Sequence, residues 1–432
     1  MTPAARASAA IEVLAAIEAH KRPAAEALKD WGTSHRFAGS GDRAAIGNLV
    51  FDTLRSRASA AFAMGEGSPR ALVLRTLVTH WQMTPEQVSR LADGSRHAPE
   101  PVSEAELAGL EVEIPAAAPD HVRGDYPEWL GPEFERAFGE AAAEQGAALA
   151  RRAPVDLRVN TLKADRDKVL KALRRFEVKA TPLSPLGVRA EQPPGPGRSP
   201  HLEAEPGHGK GWYEVQDEGS QLATLLAGAR PRRQVIDLCA GAGGKTLALA
   251  ALMENTGQLY AYDADALRLR PIFERLKRAA ARNVQVLPPG DREALAKLAG
   301  KMDLVLIDAP CTGSGAWRRR PDAKWRLAPA MLEARRAEQE GVLEEGAALV
   351  KPGGRLAYIT CSVLPSENRD QVDFFLARHP EFKLIPWPDL WEQSLPGRMP
   401  VPSADGSAET LLMTPRDHGT DGFFVAVMQR SH

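Results

Sequence analysis

The sequence has little cysteine, few aromatic residues and no long apolar run. Its 432 residues include three cysteines, and aromatic residues make up only 6% of the chain. No stretch approaches the roughly 18–20 apolar residues that a transmembrane helix needs. The alanine-rich N-terminus is interrupted by Arg6, Glu12 and Glu18 and shows no signal-peptide core. We therefore expect a cytoplasmic protein that makes no membrane contact.

The cysteines and the charges exclude further classes of protein. An odd, sparse set of cysteines in a chain of this length is not a disulfide framework. None of the cysteines has Cys or His neighbours at zinc-site spacing, so we expect no metal and free thiols. The formal net charge of −1 argues against a protein that coats nucleic acid indiscriminately, although a local basic groove is compatible with it. We also expect a monomer.

The length and the residue patterns predict three domains. Residues 5–92 carry apolar residues at helical spacing, with Asp42 as a predicted N-cap, and the Pro-, Ala- and Glu-rich tract of residues 97–120 is predicted to be an irregular linker. We therefore predict a helical domain with a linker over 1–120, a small α+β RNA-binding module over 121–205 and a catalytic domain over 206–432. The helical domain has two open interpretations, a docking or structural role and direct RNA contact.

The small module begins with an alternating stretch, Val155–Asn160, which is typical of a strand. Asp165 is placed to cap the helix that follows, and residues 193–211 are rich in Pro, Gly and His, so we predict a loop there.

After Gly211 the pattern changes to apolar strands that alternate with helices, including helices over 266–282 and 329–350. The predicted strands are Val235–Leu238, Leu259–Tyr262, Val284–Val286, Leu304–Ile307 and Leu356–Ile359. Nearly continuous apolar strands with helical crossovers predict a mostly parallel sheet that is covered on both faces. Such sheets bind ligands beyond the carboxyl ends of their strands, where the strand order switches.

Candidate cofactor-binding residues follow the first three of these strands. The first strand leads into a glycine-rich turn and helix start, whose residues are Cys239, Ala240, Gly241, Ala242, Gly243, Gly244 and Lys245. The spacing of a P-loop is absent. Asp263 ends the second strand, where a carboxylate can accept both ribose hydroxyls, and Asp291 follows the third, where it can accept from an adenine amino group. Each aspartate could also be an ordinary turn residue.

Lys245 is unusual because the helix macrodipole opposes a cation in the first turn of a helix, by roughly 0.3–1 kcal/mol. A nearby anion would relieve this cost, so we expect a carboxylate or a substrate group beside it. The alternative is a solvated surface lysine.

Two cysteines terminate neighbouring strands, in Asp308-Ala-Pro-Cys311 and in Tyr358-Ile-Thr-Cys361. Cys239 is interpreted mainly as a small apolar residue. Thiols at this edge suit methylation of cytosine carbon 5, because a thiolate that adds to carbon 6 makes carbon 5 nucleophilic. A protonated Asp308, with its pKa raised by burial, could donate a hydrogen bond to ring nitrogen 3 of the cytosine. Chemistry alone does not say which of the two cysteines attacks.

A basic stretch with tryptophans follows Gly315. Arginine pairs with phosphate and tryptophan stacks on bases, so this stretch predicts RNA contact, with a charged surface loop as the alternative. The predicted RNA-binding residues are Arg318, Arg319, Arg320, Lys324 and Trp325.

These motifs resemble those of the RsmB/Nop/Sun RNA 5-methylcytosine methyltransferases. The similarity extends from about Pro154 onward, and it includes the glycine-rich turn, the Asp308–Cys311 motif, the basic stretch and Thr360–Asn368. Outside these it includes Leu157–Thr161, Val215–Gln221 and Asp421–Phe424. The first segment is similar, more weakly, to the NusB-like domain of the bacterial RsmB enzymes, around 41–43 and 49–55.

The resemblance implies a Rossmann-like class I methyltransferase domain that uses S-adenosyl-L-methionine, preceded by an RRM-like α+β module and an all-α NusB-like domain. It implies Cys361 as the nucleophile and Cys311 as the thiol that helps product release. The cofactor would be held by residues 239–245 with Asp263, Asp291 and Asp308, the last also facing the base. Where the family has Ala-Pro, this chain has Gly241-Ala242, so the loop is less pre-organised.

The resemblance of the catalytic motifs, combined with that of the NusB-like segment, implies methylation of ribosomal RNA of the small subunit. Two alternatives stay open: an enzyme acting on transfer RNA, and a non-catalytic RNA-binding assembly factor that keeps the cofactor fold. Methylation of DNA is disfavoured by the Thr-Cys-Ser motif and by the small RNA-type module.

Overall fold

A computed structural model describes residues 1–432, which pack as two compact units. The first, which we call the helical unit, comprises residues 1–153, 192–199 and 317–327. The second, the α/β unit, comprises residues 154–191, 200–316 and 328–432. The division at residues 120 and 205 stays a prediction, and the helices of the first unit continue beyond residue 120.

The helical unit is built from ten helices and two short segments of the chain that return to it. The helices are α1 (Pro3–His20), α2 (Ala24–Ser34), α3 (Ser40–Arg55), α4 (Arg57–Met64), α5 (Pro69–Thr79), α6 (Pro85–Leu91), α7 (Glu104–Glu111), α8 (Asp120–Arg123), α9 (Gly131–Phe138) and α10 (Ala142–Leu149). Apolar residues at helical spacing, such as Leu14 and Ile17 in α1 and Ile46 and Val50 in α3, are buried in one core. The predicted helical character of residues 5–92 is confirmed.

Two local predictions in the helical unit are wrong. Asp42 does not cap a helix, because α3 begins at Ser40 and the Asp42 carboxylate instead pairs with Arg6. The tract over 97–120 is not irregular throughout, since it contains α7. That helix starts with a capping box, in which Ser103 and Glu106 each accept a hydrogen bond from the other's backbone N–H.

The α/β unit begins with a four-stranded antiparallel sheet in the order β2-β3-β1-β4. Its strands are β1 (Val155–Val159), β2 (Lys179–Ala180), β3 (Gly187–Ala190) and β4 (Tyr213–Val215). The helix α11 (Arg166–Ala172) follows β1 and is capped by Asp165, which accepts from the Lys168 N–H at 2.8 Å, as predicted. The predicted loop over 193–211 is partly wrong because it contains a helical turn, α12 (Pro206–Gly209).

A larger sheet of eight strands follows, and it confirms the predicted α/β architecture. Its strands are β5 (Gln234–Asp237), β6 (Gln258–Ala261), β7 (Val284–Val286), β8 (Met302–Asp308), β9 (Val350–Thr360), β10 (Phe382–Leu384), β11 (Leu411–Met413) and β12 (Phe423–Arg430). The order is β10-β12-β9-β8-β5-β6-β7, with β11 paired to β12. All five predicted strands are present and mutually parallel. The three C-terminal strands are antiparallel additions that were not predicted.

Helices cover this sheet and connect its strands. They are α13 (Glu218–Leu226), α14 (Gly244–Leu252), α15 (Ala266–Leu269), α16 (Ile272–Ala279), α17 (Arg292–Ala296), α19 (Pro329–Leu349), α20 (Arg369–Arg378) and α21 (Trp387–Ser394). The remaining helix, α18 (Pro321–Arg326), belongs to the helical unit. The predicted helix over 329–350 is α19. The predicted helix over 266–282 is divided into α15 and α16 at Pro271, whose ring has no N–H to continue the first helix.

The strand order switches between β5 and β8. From β5 the chain proceeds to β6 and β7 on one side, whereas β8 and β9 lie on the other. A crevice is therefore expected beyond the carboxyl ends of β5 and β8, at Asp237 and Asp308. Separately, none of the helices has both the length and the apolar character that crossing a bilayer requires.

Candidate active site

A cavity of about 580 Å³ opens at the carboxyl edge of the large sheet. One wall is formed by Leu238 and Cys239, which follow β5, and another by the end of β6, including Asp263. Gly243 has a φ of +85°, and a Cβ there would lie 2.5 Å from Ile272 Cγ1, so only glycine fits. The volume is in the range of small-molecule and cofactor sites.

Asp263 is held rigidly at this cavity. Its two carboxylate oxygens accept hydrogen bonds from the backbone N–H groups of Gly241, at 2.8 Å, and Asp265, at 2.9 Å. Each oxygen keeps a free lone pair, so the carboxylate can accept further donors from a ligand.

The other predicted cofactor residues have different positions. The carbonyl oxygen of Ala242 accepts from the partly exposed Arg275, and that of Gly244 accepts from the buried Arg158, which fixes the turn. Ala240 packs into a small apolar cluster with Ile272. Asp291 caps α17 by accepting from the Ala294 N–H at 2.9 Å and does not line the cavity.

The cavity has a wall that the sequence did not reveal. Residues of α19 line it, among them Arg335, Glu338, Gly341, Val342 and Glu345. The sequence predicts a helix here, but no motif marks the residues of α19 that line the cavity.

Lys245 and Asp308 form an ion pair beside the turn. Lys245 Nζ lies 2.7 Å from Asp308 Oδ2, and the lysine side chain is 6% exposed. The expected anion near Lys245 is therefore present, and a solvated surface lysine is excluded. The aromatic ring of Phe423 lies 5.3 Å from the same Nζ. By contrast, the expected burial of Asp308 is wrong, because its side chain is 36% exposed and ion-paired.

The edge carries an excess of carboxylates. Asp237 at the end of β5 is fully buried and accepts from Thr246 Oγ1 at 2.7 Å, and its second oxygen has no hydrogen-bond partner. Burial raises the pKa of Asp237 to about 7. Burial also raises the pKa of the Cys239 thiol, and the nearby carboxylates add to this effect. The negative charge of these carboxylates suits a ligand with positive charge. It also disfavours the thiolate form of Cys239, which supports the interpretation of Cys239 as an unreactive small residue.

Cys311 and Cys361 meet at this edge. Their Sγ atoms lie 3.4 Å apart, and all three cysteines of the chain are free. The contact follows from the register of β8 and β9, because Asp308 pairs with Ile359 and both chains then leave the sheet together. The contact with Cys361, together with burial, raises the pKa of the Cys311 thiol well above its ordinary value.

The loops that carry the two cysteines are joined by hydrogen bonds. The Gly315 N–H donates to the Cys361 carbonyl at 3.0 Å. The Val363 N–H donates to Ser314 Oγ at 2.9 Å, and Ser314 Oγ lies 2.9 Å from Ser362 Oγ. The buried Glu367, which the sequence analysis did not single out, accepts from both loops.

The predicted RNA-binding residues belong to the helical unit, and two of the five, Arg318 and Lys324, are buried. Lys324 is 1% exposed, and its Nζ donates to the carbonyl of Arg55 at 2.8 Å and also to that of Asp125. Trp325 packs against the helical core and donates from Nε1 to the Leu54 carbonyl at 2.6 Å. This corrects the prediction for Lys324, because its buried ammonium donates to backbone carbonyls. Base stacking by the partly exposed Trp325 stays a prediction.

The three arginines of the stretch differ from one another. Arg318 is buried, at 5% exposed, whereas Arg319 is partly exposed and Arg320 is exposed. RNA contact by Arg319 and Arg320 stays a prediction.

Two family models match the chain. One, described as 16S rRNA methyltransferase RsmB/F, matches residues 223–429. The other, described as the ferredoxin-like domain of RsmF/B-like methyltransferases, matches residues 126–195. The first match contains the cavity, the ion pair and both cysteine loops, and the second contains β1, β2 and β3.

Curated relatives carry corresponding names. The chain is 32% identical over 314 residues to the probable ribosomal RNA small subunit methyltransferase B of Synechocystis sp., covering 71% of this chain and 67% of the relative. It is 32% identical over 328 residues to the ribosomal RNA small subunit methyltransferase B of Sodalis glossinidius, covering 74% and 70%. A crystal structure of a methyltransferase homolog protein from Pyrococcus horikoshii is 27% identical, with a TM-score of 0.60, covering 74% of this chain and 100% of that one.

Proposed function

Because this chain belongs to the RsmB/F family of 16S rRNA methyltransferases, we propose that it transfers a methyl group from S-adenosylmethionine to carbon 5 of a cytosine in small-subunit ribosomal RNA. The observation that carries the proposal is the 3.4 Å contact between the sulfur atoms of Cys311 and Cys361. A single buried cysteine can be simply a small apolar residue. Two thiols in contact at a strand edge instead suit addition to a pyrimidine followed by elimination.

The cavity at the sheet edge is the proposed cofactor site. The turn over 239–244 and the fixed carboxylate of Asp263 would hold the nucleoside. Binding of the adenine by Asp291, which caps α17 and does not line the cavity, stays a prediction. The surrounding carboxylates fit a cationic sulfonium. When bound, S-adenosylmethionine supplies an electrophilic methyl group.

In the proposed reaction Cys361 is the nucleophile. Its thiolate forms a bond to carbon 6 of the cytosine, and the electron pair of the 5,6 double bond makes carbon 5 nucleophilic. Carbon 5 would take the methyl group as the S–CH3 bond of the donor breaks, with S-adenosylhomocysteine as the leaving group. A base would then remove the proton from carbon 5. The double bond then re-forms and the bond between Sγ and carbon 6 breaks.

Cys311 assists the last step in this scheme. Its thiol lies in contact with the leaving sulfur, at a distance from which it can pass a proton to that sulfur. Asp308 would accept a hydrogen bond from the amino group of the cytosine, and Lys245 would hold Asp308 in place and offset negative charge that reaches the ring.

The test is methyl transfer to purified RNA with mapping of the methylated cytosine. We expect label from S-adenosylmethionine to enter 16S rRNA, or an assembly intermediate that contains it, at cytosine carbon 5. Labelling of transfer RNA alone would overturn the choice of substrate. Binding of RNA without transfer of any methyl group would favour an assembly factor.

Two cysteine variants test the mechanism. We expect Cys361→Ala to abolish transfer, with a loss of at least about a thousandfold. Cys311→Ala should let a covalent protein–RNA adduct accumulate, which denaturing gels detect as a shifted band. Met399→Ala, at a residue that is 85% exposed, is the control. An adduct in Cys361→Ala and none in Cys311→Ala would mean that the two thiols have exchanged roles.

A further inference from the structure

Glu367 is a fully buried carboxylate that contacts both cysteine loops. It ends a short 3-10 helix, Pro365–Glu367, just after β9. Its Oε1 accepts from the Thr312 N–H at 2.8 Å, and its Oε2 accepts from Thr312 Oγ1 and from Ser362 Oγ, each at 2.5 Å. Thr312 follows Cys311 and Ser362 follows Cys361, so one side chain holds the residue after each thiol.

The hydrogen bonds around Glu367 fit its ionised form. Oε1 receives two N–H donors, from Thr312 and from Gln339 Nε2 at 3.1 Å. Ser362 Oγ accepts from the Leu364 N–H at 3.1 Å, which leaves its own hydrogen for Glu367. Four donors thus converge on the two oxygens, as a carboxylate requires.

This arrangement is costly for the fold. Burial raises the pKa of Glu367, which measures how strongly the interior opposes its charge. An apolar side chain in such a position is often neutral or stabilising, so a buried carboxylate is a poor choice for stability alone. Its value must lie in the geometry that it imposes on its donors.

The same network also fixes the backbone before Cys311 and anchors Glu367 to β9. Gln339 Nε2 also donates to the carbonyl of Pro310 at 2.9 Å, so Cys311 is held before and after. The Tyr358 hydroxyl donates to the Glu367 carbonyl at 2.7 Å, which anchors the carboxylate to β9. Neither loop can shift without breaking a bond to this one side chain or to its neighbours.

We propose that Glu367 is a positioning residue that holds Cys311 and Cys361 in contact by binding the residue that follows each of them. Its consequence for catalysis rests on the proposed function. Without the carboxylate the two loops lose their shared acceptor, the sulfur atoms separate, and the thiol that serves the elimination step is displaced. A displacement of about 1 Å is enough to lower a rate about a hundredfold.

The negative charge has a second effect on the adjacent thiol. Besides the contact with Cys361 and burial, Glu367 contributes to raising the pKa of Cys311. Removing the charge should therefore lower the pKa of Cys311, and alkylation of Cys311 by iodoacetamide should begin at lower pH. A purely structural residue would not produce that change.

The experiment uses the full-length protein and two variants, Glu367→Gln and Glu367→Asp, with Asp373→Asn as a control on the next helix, where the side chain is 52% exposed. Diamide oxidises a thiol pair: it takes two electrons and two protons and becomes the hydrazine, while the S–S bond forms. Peptide mapping then gives the rate of the Cys311–Cys361 disulfide. This readout needs no RNA.

We expect the disulfide to form at least about tenfold more slowly in Glu367→Gln, since an S–S bond tolerates little deviation in geometry. The aspartate variant, which keeps the charge, should recover part of the rate, and the control should match the parent protein. Single-turnover methyl transfer should fall about a hundredfold in Glu367→Gln while binding of S-adenosylmethionine is unchanged. If Glu367→Gln does not fold, Thr312→Val and Ser362→Ala remove donors from the same carboxylate and should slow the disulfide in the same direction.

The outcomes separate the two proposals. An unchanged disulfide rate and an unchanged alkylation profile in Glu367→Gln would overturn the positioning role. A slower disulfide in a protein that methylates no RNA would support the positioning role and overturn the proposed function.

Discussion

The two halves of the segment from Asp308 to Leu327 use polar side chains in opposite ways. In the first half, Asp308 is partly exposed, and Cys311 keeps its sulfur at the sheet edge. In the second half, Lys324 gives its hydrogen bonds to the carbonyls of Arg55 and Asp125 inside the helical unit. A polar side chain that remains partly exposed can contact a ligand. A polar side chain whose donors all bind backbone carbonyls stabilises the fold instead.

Asp308→Asn tests the first half and should have the largest effect. We expect methyl transfer to fall at least about a hundredfold, because the amide cannot pair with Lys245 as the carboxylate does. The midpoint of thermal unfolding should fall only slightly, since the amide oxygen can still accept a hydrogen bond from Lys245, whose side chain is 6% exposed. Steady-state kinetics beside calorimetry check both, and a large loss of stability with unchanged turnover per folded molecule would break the comparison.

Lys324→Met tests the second half. The apolar side chain keeps much of the volume but leaves two buried carbonyls without a donor, so we expect a loss of about 2 kcal/mol in the free energy of unfolding. Turnover per folded molecule should be retained. Arg320→Met, at an exposed position of the same segment, is the matched control and should leave the free energy unchanged. Equal losses in the two variants would argue against the structural role of Lys324.

The pH dependence of stability sharpens the same contrast. Burial lowers the pKa of Lys324 to about 7, below its ordinary value of 10.5. Between these values the unfolded chain holds a proton that the folded chain has released, so the stability of the helical unit should rise with pH across this window. Below pH 7 both states are protonated and this contribution is constant. Chemical unfolding from pH 6 to pH 10 should show the slope in the parent protein, and its persistence in Lys324→Met would assign it to another group.

Arg320→Gln should have the smallest effect. If this exposed arginine contacts a phosphate of single-stranded RNA, the slope of log K against log salt should become less negative by about 0.7, while unfolding is unchanged. Binding of RNA measured between 50 and 300 mM salt checks this. The same slope in both proteins would remove Arg320 from the RNA-binding surface.

The meeting of the two thiols was predictable from the sequence. Apolar runs identify β8 and β9, and the carboxyl ends of neighbouring parallel strands lie at one edge, so Cys311 and Cys361 had to be close. The short antiparallel strands β10 and β11 were missed because each has only three residues and neither lies in the regular alternation of strands and helices that revealed the equally short β7.

The role of Lys324 was not predictable in this way. Its acceptors, the carbonyls of Arg55 and Asp125, lie 269 and 199 residues away in the chain, and no local pattern connects them. Glu367 was hidden for a different reason. It stands in a motif that the sequence analysis used, but its donors come from Thr312, Gln339 and Ser362, which the fold alone brings together.

The return of residues 192–199 and 317–327 to the helical unit has a consequence for biosynthesis. Chains commonly fold from the N-terminus onward while translation proceeds. Here Lys324 and Trp325 pack into the interior of the helical unit. The packing of residues 1–153 is therefore incomplete until the ribosome has synthesised residue 327. The first-made part of this protein is thus completed only after most of the α/β unit has been synthesised, and a fragment cut at residue 153 would expose the apolar surface that these late residues cover.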